Sequence, residues 1–126
     1  MKYLKRFNES KKFNPTFDEF INELSEELKH IGFKIVVEKP DLVYSEGILE
    51  INDMDNGTYI DFDLENFSIE NLKKECSKIL DELSNGSRNW DIFQTTDDVK
   101  DGYDLLCTSI LTFIDMKNYG EIENRL

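Results

Sequence analysis

Glu50, Asp61 and Asp63 are the residues of this 126-residue chain whose type and spacing come closest to a chemical site. They lie in the stretch GILEINDMDNGTYIDFDLE, on either side of Asn56-Gly57. Asn-Gly between alternating apolar residues is the strongest short hairpin signal, because a type I′ turn needs positive φ at both central positions. Taking those two residues as the loop pairs Asp55 with Thr58, Ile51 with Phe62 and Leu49 with Leu64. Glu50 then meets Asp63, and Asn52 meets Asp61, on the other face. Like charges directly opposite each other destabilise a sheet, so the crowding needs a reason. Paired carboxylates can act as general acid and base, hold a divalent ion, or receive a basic protein. Nothing in the sequence marks a pocket around them, so the expectation is a solvated face or, where it has a function, a partner-binding face.

Other reactive side chains are sparse. His30 is the single histidine and falls on the last turn of a helix, where a cation suits the helix C-terminus. Cys76 and Cys107 sit among apolar neighbours and are expected to be buried and reduced. One His and two distant Cys do not make an ordinary zinc site. Asp53-Met54-Asp55-Asn56-Gly57 opens like a calcium loop, but its Gly is one position early and Leu64 occupies the position of the bidentate carboxylate. Asp97-Asp98-Val99-Lys100-Asp101-Gly102 has Val99 where a ligand belongs. No Gly-rich phosphate loop is present. The expectation is a non-enzymatic chain with no catalytic residues, no metal site and no cofactor.

The elements that would position these residues can be read from periodicity. Residues 1–15 form a separate basic segment ending at Asn14-Pro15, and residues 16–126 a single acidic domain. Thr16-Phe17-Asp18-Glu19 fits a capping box. Phe17, Phe20, Ile21, Leu24, Leu28 and Ile31 make one apolar helical stripe that Gly32 is placed to end; Glu19, Asn22, Glu23, Glu26 and Glu27 fill the opposite face. Residues 33–38 read as a strand stopped by Pro40. After the hairpin, Ser68 is placed to cap a second helix carrying Ile69, Leu72, Cys76, Ile79, Leu80 and Leu83, with Phe67 set to staple onto Leu72. Asn85-Gly86 ends it. Trp90 to Thr95 reads as a strand. Tyr103 to Asp115 fits a helix through Tyr103, Leu106, Ile110 and Phe113, and a strand through Thr108, Ile110, Thr112 and Ile114; its β-branched content favours the strand. The expected fold is α+β, an antiparallel sheet covered by two amphipathic helices in the order α-β-β-β-α-β-β.

Charge divides the chain more sharply than any motif. Residues 1–12 carry Lys2, Lys5, Arg6, Lys11 and Lys12 against Glu9, a net of +4. The other 114 residues carry 10 basic and 26 acidic side chains, a net of −16. Such a body repels nucleic acid and attracts basic proteins. In the head, Tyr3, Leu4 and Phe7 would share one side of a helical turn with Lys2, Lys5 and Arg6 around them, a pattern suited to docking in a groove on an acidic surface. That surface could be the chain's own body, a second copy, which leaves a homodimer open, or a different protein. One short turn is a poor membrane anchor. Asn8, Glu9 and Ser10 interrupt the head before a signal-peptide apolar stretch can form, so secretion is not expected.

MKYLKRFNES resembles the start of many small proteins encoded by tailed bacteriophages, where a Lys-rich head ending in Phe-Asn-Glu precedes unrelated bodies. The resemblance implies an addressing or packaging signal and a place in the virion or the host cytoplasm. The element order is similar to that of the dimeric chaperones of type III secretion effectors. The expectation is therefore an acidic protein-binding protein. Its first reading is a virion-associated subunit whose head, Lys2, Tyr3, Leu4, Lys5, Arg6 and Phe7, docks on a phage structural protein. The alternatives are an inhibitor of a host protein that mimics nucleic acid through the Glu50, Asp61 and Asp63 face, and a chaperone-like dimer that holds a partner segment.

Overall fold

A computed structural model of the chain describes residues 12–40, 42, 47–53, 57–85 and 97–123. The first helix, α1, spans Phe17–Lys29 and starts where the sequence marks it. The Thr16 hydroxyl accepts from the Glu19 backbone N–H at 3.2 Å, and the Glu19 carboxylate accepts from the Thr16 N–H at 3.0 Å. The second bond holds the Glu19 carboxyl below its usual range. Phe17, Phe20, Leu24 and Leu28 are the buried stripe. His30 is the C-cap, and Gly32 takes φ +92° to turn the chain into the sheet.

The sheet has three antiparallel strands in the order β1 (Phe33–Glu38), β2 (Ile48–Asp53) and β3 (Tyr59–Asp63). The hairpin register differs from the two-residue loop read from Asn56-Gly57. Asp53 pairs with Thr58, its N–H donating to the Thr58 carbonyl at 2.9 Å, so four residues, 54–57, make the connection. Ile51 lies opposite Ile60, Leu49 opposite Phe62, and Glu50 opposite Asp61. The slip is by two positions. Side chains alternate with period two, so the faces survive and only the partners change. Gly57 still takes positive φ, at +83°. In this register a long-range contact forms: buried Thr58 donates its hydroxyl to the Val99 carbonyl at 3.3 Å.

A short 3-10 turn, Leu64–Asn66, leads into α2, Ile69–Asn85. Ser68 caps α2 by accepting from the Asn71 N–H at 3.0 Å. Phe67 and Leu72 are both buried in the core, and Glu70 and Lys74 pair at 3.5 Å on the exposed side.

The largest departure from expectation is at Tyr103 to Asp115. That segment is helix, inside the 21-residue α3, Asp97–Lys117. Tyr103, Leu106, Cys107, Ile110, Phe113 and Ile114 are its buried residues, whereas Thr108 and Thr112 are exposed. β-Branched residues cost a helix only a few tenths of a kcal/mol each, while burying a large apolar side chain gains about 1.5–3 kcal/mol. Packing therefore overrides propensity. Asn118 ends the helix at φ +56°, with Tyr119 N–H donating to the Ile114 carbonyl and Asn118 N–H to the Asp115 carbonyl, a Schellman closure. The observed order of described elements is thus α-β-β-β-α-α, with three helices instead of two. It also departs from the order on which the likeness to type III secretion chaperones rested. The strand expected at Trp90 to Thr95 lies outside the described residues.

One core joins the layers: Leu49, Ile51 and Ile60 from the sheet, Phe20 and Leu24 from α1, Leu72 and Ile79 from α2, and Leu106 and Ile110 from α3. The segment before α1 is tied to the segment after α3. Phe13 bridges Tyr119 in parallel, Gly120 N–H donates to the Phe13 carbonyl at 2.7 Å, and Glu123 N–H donates to the Pro15 carbonyl at 2.8 Å. Tyr119 is buried, and its hydroxyl donates to the Glu23 carboxylate on α1. Burial first, and that bond second, push the Tyr119 phenol above its usual range.

Candidate partner-binding surface

The strand alternation that sends Leu49, Ile51 and Ile60 into the core sends Glu50, Asn52 and Asp61 to the outer face of the sheet. Three strands build that face in rows. Lys34, Asn52 and Tyr59 form one row, Val36, Glu50 and Asp61 the next, and Glu38, Ile48 and Asp63 the third. All three carboxylates singled out in the sequence share this face, and Glu38 joins them from β1. Ile48 is buried there yet stands apart from the core cluster, so the face has an apolar floor between its charges.

Glu50 and Asp61 meet in the closer of the two pair types. Asp53 with Thr58 and Gly47 with Leu64 are hydrogen-bonded pairs, so by alternation Glu50 with Asp61 is a non-hydrogen-bonded one. Such pairs hold their Cα atoms about 4.5 Å apart, with side chains closest. Asp61 is exposed on its strand, yet its carboxyl lies above its usual range, first because neighbouring groups strip part of its water and second because the Glu38 carboxylate repels its charge. A depression of about 440 Å³ opens beside it, lined by Glu50, Asn52, Asp53, Gly57, Thr58, Tyr59 and Asp61.

This geometry has a pH consequence. Folded Asp61 keeps its proton to a higher pH than unfolded Asp61, so the native state loses stability as pH rises from the ordinary value of 3.8 through the raised one. Asp61→Asn is expected to stabilise the fold at pH 7 by about 0.2–1 kcal/mol, the range for a like-charged cross-strand pair. Below about pH 3 the gain is expected to vanish, because the wild-type carboxyl is then neutral too. Urea midpoints at both pH values, with unchanged slope, measure this.

The other candidates fall elsewhere. Lys2, Tyr3, Leu4, Lys5, Arg6 and Phe7 lie outside the described residues. His30 is exposed at the end of α1, on the rim of a second acidic depression of about 410 Å³ that includes Glu23, Glu26 and Glu27. Lys117 lies 4.0 Å from Glu23 there. Cys76 and Cys107 are free, buried and adjacent between α2 and α3; the hydrogen bond to Cys107, then burial, drives the Cys76 thiol far up. A thiol so held is no nucleophile. Among the described residues no group of three or more His, Cys, Asp or Glu is arranged to hold a metal ion, and no helix is long and apolar enough to cross a membrane.

No family model, curated protein or solved structure matches this chain. Function is therefore argued from the geometry. Glu38 is the site residue that sequence reasoning missed: β1 and β2 are joined through residues 39–47 without a hairpin signal, so their register could not be read. Tyr59 shares that face in either register; the two-residue loop only pairs it with Met54 instead of Asn52.

Proposed function

We propose that this chain is a non-enzymatic, protein-binding protein that receives a basic protein segment on the outer face of its sheet. The observation that carries the proposal is the set of four carboxylates, Glu38, Glu50, Asp61 and Asp63, drawn from three strands onto one face beside one lysine, Lys34. Opposed like charges are a stability cost that a cationic partner removes on binding. The basic head, net +4 over residues 1–12, adds a second docking element, and its likeness to phage heads makes a phage structural subunit the first partner to consider. The net of −16 over residues 13–126 supports a second reading, a host-protein inhibitor that occupies a nucleic-acid-binding groove.

An oligo-arginine peptide is the direct probe of the face. Binding is expected to weaken at least about tenfold between 0.05 and 0.5 M salt. The triple variant Glu50→Gln, Asp61→Asn, Asp63→Asn should lose it. A charge-matched triple, Glu26→Gln, Glu27→Gln, Glu70→Gln, should keep it. Equal loss in both triples would mean that only net charge matters and would remove the proposal.

A further inference from the structure

The two edges of the sheet are unlike each other. In β3 the N–H and C=O of Tyr59 point away from β2, because Asn52 with Tyr59 is a non-hydrogen-bonded pair. There α3 closes the edge: the Tyr103 hydroxyl donates to the Tyr59 carbonyl at 3.0 Å and accepts from the Tyr59 N–H at 3.5 Å. In β1 the residues hydrogen-bonded to β2 are Lys34, Val36 and Glu38, opposite Asn52, Glu50 and Ile48. Ile35 and Val37 therefore aim their N–H and C=O outward, and among the described residues neither has a hydrogen-bond partner there. Val37 is 42% exposed, and Ile35 and Val36 are half-buried. A strand edge with free backbone groups and apolar side chains is a pairing site.

The sequence of that edge, Lys34-Ile35-Val36-Val37-Glu38, is complementary to itself when reversed. Laid antiparallel against a second copy with Val36 on the two-fold axis, Lys34 faces Glu38 of the partner subunit and Glu38 faces Lys34 of the partner subunit. Ile35 and Val37 then form the hydrogen-bonded pairs, in agreement with their outward N–H and C=O groups. Val37 is covered, and both ion pairs fall in the closer, non-hydrogen-bonded positions. A slip of two residues either way replaces these ion pairs with charge against apolar side chains or backbone. We propose that the chain forms a homodimer by antiparallel pairing of β1 with β1 of a second copy, giving a six-stranded sheet whose two acidic outer faces are continuous.

An interface of one strand per subunit is at the small end, so a dissociation constant of about 1–100 μM is expected. Each copy carries a net charge of −12, and 0.15 M salt screens the long-range repulsion while leaving contact pairs in place. Sedimentation equilibrium of the full chain under these conditions should give twice the 14.8 kDa chain mass at high concentration. Lys34→Glu sets four carboxylates across the join and should weaken the dimer at least about tenfold. Glu38→Lys should do the same, and the double swap Lys34→Glu, Glu38→Lys should restore wild-type affinity, because it reverses both pairs. Glu70→Lys, with the same charge change as Glu38→Lys but on α2, should dimerise like wild type. A monomer up to about 0.5 mM, well above the expected constant, would overturn the proposal. So would a dimer indifferent to Lys34→Glu, or a double swap without rescue. Because oligo-arginine binding is read separately, either result stands without the other.

Discussion

Phe20→Ala is expected to lower the folding free energy by about 3–5 kcal/mol, the range for removing a fully buried phenylalanine. Phe20 has no exposed surface, and its ring centroid lies 6.1 Å from Phe67, 6.3 Å from Phe113 and 5.4 Å from Tyr119. Those rings come from the residues just before α2, from α3 and from the segment that follows α3. One side chain on α1 therefore joins all three helical regions and the segment after α3. A domain of this size is stable by only about 5–15 kcal/mol, so this one change removes a large share of the total. Phe20→Leu keeps most of the volume and should lose less than about 1.5 kcal/mol. Phe13→Ala is the control: Phe13 touches Tyr119 from an exposed position and should cost well under half as much as Phe20→Ala. Urea denaturation of the four proteins measures this. A loss below about 1.5 kcal/mol for Phe20→Ala would mean that the aromatic cluster can close over the gap.

How much of this was legible in the sequence depends on how local each signal is. The start of α1 was legible because Thr16 and Glu19 satisfy each other within one turn. The outer face of the hairpin was legible because alternation is local, so Glu50, Asp61 and Asp63 share a side whatever the register. The register was not. A slip of two leaves the hydrophobic pattern unchanged, and the contact that accompanies the observed register, Thr58 to Val99, spans 41 residues. The helix α3 was hidden for a related reason. Its β-branched residues argue locally for a strand, and the burial of Ile110 and Ile114 against other helices reverses the balance. The contribution of Glu38 to the raised Asp61 carboxyl was hidden because no turn motif fixes the pairing of β1 with β2.

Gly102→Ala is expected to destabilise the fold by about 1–3 kcal/mol, the cost of overpacking a tight site. The sign is what makes it informative, since glycine to alanine inside an α-helix normally gains about 1 kcal/mol. Gly102 lies in α3, where an added Cβ would stand 2.3 Å from the Thr58 hydroxyl oxygen and 3.3 Å from its Cβ. Thr58 cannot yield easily. Its side chain is fully buried, its backbone carbonyl is held by the Asp53 N–H, and turning its hydroxyl away breaks the bond to the Val99 carbonyl. Thr58→Ala removes the clashing oxygen and leaves the Thr58 Cβ contact, which is tight but tolerable. The double variant Thr58→Ala, Gly102→Ala should therefore be more stable than the sum of the single changes predicts, with a coupling above about 1 kcal/mol. A Gly102→Ala protein more stable than wild type would show that α3 does not press on the start of β3. The same contact holds Tyr103 over the backbone of Tyr59, one residue beyond Thr58. Pushing α3 away should uncover that edge beside the Glu50–Asp61 pair. Hydrogen exchange at the Tyr59 amide should then quicken in Gly102→Ala and slow again in the double variant, which ties the helix that the sequence hid to the face that it revealed.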